Sequence, residues 1–431
     1  MFSHSNKRAF LTLACVTSLG AWCAHAEQPT LPGEQTISLP YGFYNETFGA
    51  TAAYVYGVFG YPQPQSAMLG TVIAGSSGSV MAFGMAKDLR LPFSHRLFLD
   101  SVLQAGYFKD ARTFANGNPA FPPDTAGRND SDPNNYIEGD GVDAFARLNF
   151  KYVLPIGEGR DEPIDFDRLD NGLPLESEED RNRSWNPLRS GRTYLELRPF
   201  YRSQEIDGPI VSETTRTNGL EFAVFYDDRD FTRSPSQGGS VRMRVSRDWG
   251  LADSSREYTV YALEADKYFS LGATGKYRQR VIALDLWTAD SPTWNNYDVI
   301  NGTLVYHRPP AYSGATLGGL MRLRAFPASR FNDRSAIYYS AEARFIPAWN
   351  PFTQWDFLQQ HVGVQWWQWA LFGEVGRVAP EYDIKELHSD MKWDAGAGVR
   401  VMAKGLVVRL DVAYSEEDVG VQMMVSQPFQ F

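Results

Sequence analysis

Three charged side chains invite pairing chemistry. Arg324 lies in a long connection, residues 289–334, and Glu342 and Glu374 lie in two alternating segments that follow it, 335–347 and 361–378. Alternation places Glu342 on one face with Tyr338, Ser340 and Arg344, and leaves Ile337, Tyr339, Ala341 and Phe345 on the other. Glu374 falls on the polar face by the same count. A guanidinium carried on the connection could reach both carboxylates, because its planar fork suits two-point pairing. In an enclosed polar space such a pair is less screened than at a surface, and its rupture costs a few kcal/mol. The competing reading is that all three are ordinary solvated charges. Arg330 and Arg334 are alternative partners, and the sequence does not rank them.

Other chemistry finds little support. Once a leader is removed, the histidines are His95, His307, His361 and His388, and none has the short spacing of a zinc motif. Lipid or peptide hydrolysis by a Ser/His or Asp/His arrangement would have to use one of these. His307, beside Arg308-Pro309-Pro310, and His388 read as loop residues. No metal, no cofactor and no enzymatic activity is expected. Gly75–Gly78 reads as a hairpin turn rather than a phosphate cradle.

The N-terminus reads as a signal peptide over 1–26. Lys7 and Arg8 precede an apolar stretch from Phe10 to Trp22, and Ala24-His25-Ala26 offers small residues for cleavage. Both cysteines, Cys15 and Cys23, fall inside it, so the mature chain uses neither disulfides nor thiolate ligands. Removing Lys7 and Arg8 from 41 basic residues leaves 39 against 51 acidic ones, a net charge of −12. That argues against nucleic acid as a partner.

The elements that must position the charges are strands. Leu406, Val408, Leu410, Val412 and Tyr414 alternate with Arg409 and Asp411. Val142, Ala144, Ala146, Leu148, Phe150 and Tyr152 alternate with Asp143, Arg147, Asn149 and Lys151, and 391–403 behaves alike. Fifteen such segments are expected: 47–60, 65–76, 78–89, 95–108, 141–154, 191–203, 217–228, 239–249, 256–270, 276–288, 335–347, 361–378, 391–403, 405–415 and 419–431. So many in succession behind a secretory leader imply a closed all-β, transmembrane antiparallel β-barrel in a bacterial outer membrane, with lipid on one face and a polar lumen on the other. Single-chain barrels of this kind have even strand numbers. Sixteen are therefore expected, the missing one at Gln35–Gly42 or, second, within 293–308. Residues 27–46 form an N-terminal extension that includes the first strand on the better of these options, and 47–431 form the barrel. Short and long connections alternate, except that the charged 155–190 segment, with Glu176-Ser177-Glu178-Glu179-Asp180, sits where a short turn belongs. The sequence offers no role for it.

Three segments resemble the BamA/TamA superfamily of outer-membrane assembly and secretion barrels, the bacterial surface antigen family. Tyr226-Asp227-Asp228-Arg229-Asp230, then Pro235 and Gly238, resembles its Y-D-x-R-D turn. Leu317-Gly318-Gly319 and Leu323-Arg324-Ala325-Phe326, followed by Glu342-Ala343-Arg344-Phe345, resembles the long loop whose R-G-F/Y tip folds into the lumen. Phe372-Gly373-Glu374-Val375-Gly376 resembles F-x-D-x-G. The match spans about 217–431, with weaker agreement over Tyr41–Tyr107. Two departures stand out: Ala325 replaces the family's glycine, and Glu374 is one methylene longer than its aspartate. The chain runs from its leader almost directly into the barrel, so a member without POTRA domains is expected.

The resemblance implies a lock in which Arg324 holds Glu342 and Glu374, with Gly318, Gly319, Ala325 and Phe326 shaping the tip. Asp227, Arg229, Asp230, Pro235 and Gly238 read as a structural turn ordered by hydrogen bonds. On the last strand Val419, Val421, Met423, Val425, Phe429 and Phe431 share the lipid face and resemble a C-terminal insertion signal, while Pro428 weakens pairing with the first strand. The function implied is to insert, translocate or rearrange protein or lipid through the closing seam and inward loop. The alternative is a passive barrel or loop-plugged pore. The partners implied are outer-membrane lipids and lipopolysaccharide, and the barrel assembly machinery during insertion. No client is named by the sequence.

Overall fold

The computed structural model describes residues 34–45, 47–164, 169–175, 183–209, 211–356 and 362–425. The leader over 1–26, and Phe429 and Phe431 of the insertion signal, lie outside the described residues. The strands are β1 (Gln35–Asn45), β2 (Gly49–Phe59), β3 (Ala67–Gly75), β4 (Val80–Arg90), β5 (Leu97–Thr113), β6 (Ile137–Val153), β7 (Leu169–Asp170), β8 (Leu173–Pro174), β9 (Arg192–Asp207), β10 (Ser212–Asp227) and β11 (Gly238–Trp249). They continue with β12 (Glu257–Ser270), β13 (Tyr277–Asp290), β14 (Tyr297–Ile300), β15 (Thr303–Tyr306), β16 (Ala315–Leu317), β17 (Phe331–Asp333), β18 (Ser335–Pro347), β19 (Val364–Ala379), β20 (Lys392–Ala403), β21 (Leu406–Ser415) and β22 (Val419–Val425).

Sixteen of these make one antiparallel sheet in chain order, with β7–β8, β14–β15 and β16–β17 as separate hairpins. The sixteenth strand is β1, paired with β2 from Gln35↔Phe59 to Asn45↔Gly49. It falls within the stretch set apart as an extension. The second candidate, 293–308, forms the detached hairpin β14–β15 instead.

Alternation decides which face goes inward. Glu196, Arg198, Glu221, Arg242, Glu342 and Arg400 are buried, whereas Leu103, Phe222, Met243, Leu371, Val399 and Tyr414 are exposed. This inverts the usual soluble arrangement and suits a lipid-facing wall around a polar interior. No helix among the described residues is long and apolar enough to cross a membrane.

Four strands run beyond the expected bounds. The β5–β6 ladder continues past an irregularity at Phe108/Ala111 to Thr113↔Ile137, and β9–β10 reaches Asp207↔Ser212. These extensions carry polar residues on both faces, so no alternation marks them. They are tied by the cross-strand ion pairs Lys109–Asp140 at 2.7 Å and Arg112–Glu138 at 2.6 Å.

The sheet is not closed among the described residues. β1 pairs with β2 and β22 pairs with β21, and no ladder joins β1 to β22. The expected closing seam is therefore not formed among the described residues, and 426–431 lie outside them. At one rim the β20–β21 turn reaches β1, where Lys404 Nζ donates to the Thr36 carbonyl at 3.2 Å.

Leu371 is the eighth of sixteen residues of β19, is 52% exposed and sits on the outward face. Leu371→Arg should cost about 2–4 kcal/mol in folding equilibria measured in lipid vesicles, as expected for a cation at the bilayer midplane. A cost under about 1 kcal/mol, the value near an interface, would mean that this face does not meet hydrocarbon.

Candidate functional site

The connection between β13 and β18 enters the lumen and returns. Its inner part is the hairpin β16–β17, paired from Ala315↔Asp333 to Leu317↔Phe331. Gly318 and Gly319 reverse the chain at φ of +105° and +104°. Cross-tip bonds from Gly318 N to Arg322 O and Gly319 N to Phe326 O, both 3.0 Å, fix its shape. Phe326 and Phe331 meet edge to face at 5.1 Å between centroids. With Leu317, Leu323 and Ala325 they join a buried apolar cluster containing Trp287, Tyr338 and Phe372 of the wall. Leu323, fully buried, has φ of +52°, a left-handed conformation unusual for a branched side chain.

Packing of this tip delivers Arg324 to three carboxylates. Glu374 receives the Arg324 main-chain N–H at 2.8 Å and Nε at 3.0 Å, one on each oxygen, and also the Tyr338 hydroxyl at 2.7 Å. Arg324 Nη1 donates to Asp411 Oδ2 at 2.6 Å. Its two terminal nitrogens stand 3.4 Å from Glu342 Oε2. The guanidinium carbon lies 3.4 Å from the Phe372 ring centroid, a cation–π contact. All these charged side chains are at most 1% exposed.

The carboxylates are held from behind. Arg400 grips both oxygens of Glu342, at 2.6 and 2.5 Å, and Arg344 Nε adds a third bond at 2.5 Å. Arg409 Nη1 donates to Asp411 at 3.1 Å and its Nη2 to the Leu320 carbonyl at 2.7 Å. Asp394 accepts the Ala325 main-chain N–H at 2.9 Å. The structure thus brings Arg324, Glu342 and Glu374 together, but reorders them. Asp411 is a tighter partner than Glu342, whose short bonds go to Arg400 and Arg344. The longer Glu374 reaches the main chain and side chain of Arg324 at once. Ala325 fits at the tip because its φ is not positive, so no glycine is required there.

The two alternative arginines go elsewhere. Arg330 pairs with Glu417 at 2.8 Å and bonds Ser131, and Arg334 lies 3.4 Å from Asp290. Alternation puts Asp411, Asp394, Arg400 and Arg409 on polar faces, but it carries no information on which faces meet across a lumen.

The tip also leans on the last strand. Gln422 of β22 donates to the Arg324 carbonyl at 3.2 Å. A Cβ at Gly420 would overlap that carbonyl and come within 2.8 Å of the Ala325 Cα, so the loop can lie this close only to glycine. Of the insertion-signal residues, Val425 is described and is exposed on the outward face.

The turn between β10 and β11 is built by its charges. Arg229 forks onto both oxygens of Asp227 at 2.7 Å each. Asp230 accepts the main-chain N–H groups of Phe231, Ser236 and Gln237 at 2.9, 2.8 and 3.2 Å, with Pro235 between the strands' ends. Gly238 has φ of +83° and abuts the Asp228 carbonyl, which excludes a side chain. These contacts order the turn between β10 and β11.

The 155–190 segment acquires a place. Its hairpin β7–β8 packs Leu169 and Leu173 against buried Phe231, Ile346, Trp366, Met402 and Val407. Trp366 Nε1 donates to the Gly172 carbonyl at 2.8 Å. The β7–β8 hairpin therefore lines the interior at the short-turn rim, across from the tip's point of entry, while 165–168 and 176–182 lie outside the described residues.

His307 and His388 sit apart from this network. His307 lies between Glu257 at 2.8 Å and Asp298 at 2.9 Å, and His388 contacts the Tyr339 hydroxyl at 2.9 Å. His361 lies outside the described residues. Among the described residues, no group of three or more His, Cys, Asp or Glu side chains is arranged to hold a metal ion.

Arg324→Ala would leave Glu374 and Asp411 buried beside an empty site, and should lower stability in lipid vesicles by about 3–5 kcal/mol. Limited proteolysis should then cut within 315–333. Gly420→Val should expose the same peptide without removing a charge. Resistance of both variants would show that neither contact holds the tip.

No family model and no curated protein matches the chain. Among solved structures it is similar to CdiB from Escherichia coli (10% identity, TM-score 0.54, 93% of this chain and 62% of that one). It is also similar to CdiB from Acinetobacter baumannii (10%, 0.49, 91% and 59%). A further similar structure is BamA from Haemophilus ducreyi lacking POTRA domains 1–3 (12%, 0.46, 91% and 70%). The chain thus spans about three fifths of each CdiB chain. At one-tenth identity the likeness to the E. coli structure is one of fold: this chain has the antiparallel barrel fold of CdiB, with sixteen strands in its main sheet.

Proposed function

We propose that this chain is an outer-membrane barrel of the assembly and secretion type. It inserts, translocates or rearranges protein or lipid beside the β1/β22 edge, under control of the inward loop. The observation that carries this reading is the attachment of the Arg324 tip to five consecutive strands, β18 to β22, the last of which is an unpaired edge among the described residues. A loop bound this way sets the position of that edge. Outer-membrane lipids, lipopolysaccharide and the machinery that inserts the barrel itself are its proposed surroundings, reached after removal of a leader over 1–26. No catalytic step belongs to this reading.

The test is genetic. Deleting the gene in its native host should selectively deplete certain barrels or disturb lipid asymmetry, read from quantitative outer-membrane protein and lipid compositions. Complementation with Arg324→Ala, at normal protein level, should restore less than a tenth of the wild-type effect. Full restoration by that variant would sink the lock mechanism, and an unchanged envelope in the deletion strain would sink the active role.

A second reading, a plugged pore, draws on the filling of the lumen by the tip from one side and β7–β8 from the other. It predicts low conductance in planar bilayers that rises at least tenfold when 315–333 is replaced by a short glycine-serine linker. Conductance unaffected by the replacement would count against a plug.

A further inference from the structure

The outward wall carries a cleft that the lock and the edge do not use. It lies over β12, β13, β18 and β19 and holds about 460 Å³. Leu284, Tyr339, Ala341, Gly373 and Val375 line it. Alternation sets each of them on the face opposite buried Asp285, Ser340 and Glu374, so the cleft opens toward lipid. Ala341 and Gly373 are direct cross-strand partners, and their small size makes the depression between larger neighbours.

One cation stands at this cleft. Lys267 is on the outward face of β12, opposite Leu284 of β13. Its ammonium lies 4.1 Å from the ring centroid of Trp185, which also lines the cleft. Among the described residues no carboxylate comes within ion-pair distance of Lys267, although the charges of Asp228 and Asp266 reach it from farther away. Lipid-facing lysine costs about 2–4 kcal/mol at the bilayer midplane and about 0–1 near an interface. Lys267 is three residues from the end of β12 at Ser270, about 10 Å along the strand. Exposed Phe269 is the next outward position toward the short-turn rim. Indole rings favour this same boundary between acyl chains and headgroups. An apolar cleft with an ammonium that has no ion-pair partner among the described residues, and an indole at that depth, complements an acyl chain joined to an anionic phosphate.

We propose that this cleft binds one anionic glycerophospholipid from the leaflet at the short-turn rim. An acyl chain lies over Ala341 and Gly373, and the phosphate sits on Lys267 beside Trp185. The site is independent of the Arg324 lock and of the proposed activity at the edge.

Native mass spectrometry of the full chain in detergent, titrated with dioleoyl phosphatidylglycerol or dioleoyl phosphatidylcholine, tests this. The wild-type barrel should retain one phosphatidylglycerol at least tenfold more tightly than phosphatidylcholine. Lys267→Ala should abolish the preference, and Ala341→Leu, which fills the cleft, should weaken phosphatidylglycerol retention by at least tenfold. Both substitutions face outward, and heat-modifiable gel migration verifies that each variant is folded. Equal retention of the two lipids by wild type would identify general annular contact and overturn the proposal. Tight, selective binding that survives either substitution would overturn it too.

Discussion

A guanidinium deprived of water governs this structure. Arg324 is buried in a lumen, and removing such an ion from water costs several kcal/mol unless its geometry is well matched. Its donors therefore have to meet acceptors, and they do so on β19, β21 and β18. The acceptors have the same need, which Arg344, Arg400 and Arg409 meet. Four arginines and four acids, Glu342, Glu374, Asp394 and Asp411, thus form one connected system. Its parts are stabilising only together, because a pair broken from one side leaves an uncompensated buried charge.

A barrel places its apolar surface outside, so its interior must be made cohesive by other means. Here two apolar clusters do this at the two ends of the charge system. One lies under the tip, around Trp287, Tyr338 and Phe372, and the other is around Trp366 and Met402. The first is completed by the loop from one rim and the second by β7–β8 from the other. The wall supplies most of each cluster and the connections supply the rest, which is why long connections at both rims belong to the fold rather than decorate it.

Much of this was legible because side-chain direction in a strand has a period of two. Alternation alone places Glu342, Glu374, Arg409 and Asp411 inward and Ala341 and Tyr414 outward. The even strand count of such barrels pointed to Gln35–Gly42, where β1 lies. What stayed hidden depends on distance across the lumen or on the absence of alternation. No pattern in the sequence tells that Arg324 meets Asp411, 87 positions away, more closely than Glu342. The strand extensions near Lys109 and Glu205 read as loop because both their faces meet water. The hairpin at Leu169–Pro174 reads as part of a charged segment because only two leucines mark its buried side.

Leu323 has a consequence for how the tip can move. A branched residue held left-handed costs about 1–3 kcal/mol, and it persists only where the surroundings dictate it. At Leu323 those surroundings are the lumen cluster and the bonds of its neighbour Arg324. Were the tip withdrawn, both would be lost together and the backbone would relax to an ordinary right-handed or extended form. A withdrawn tip would then differ from the docked one by a discrete backbone rotation, so a loop that left the lumen would act as a latch with two positions, not as a piston that slides.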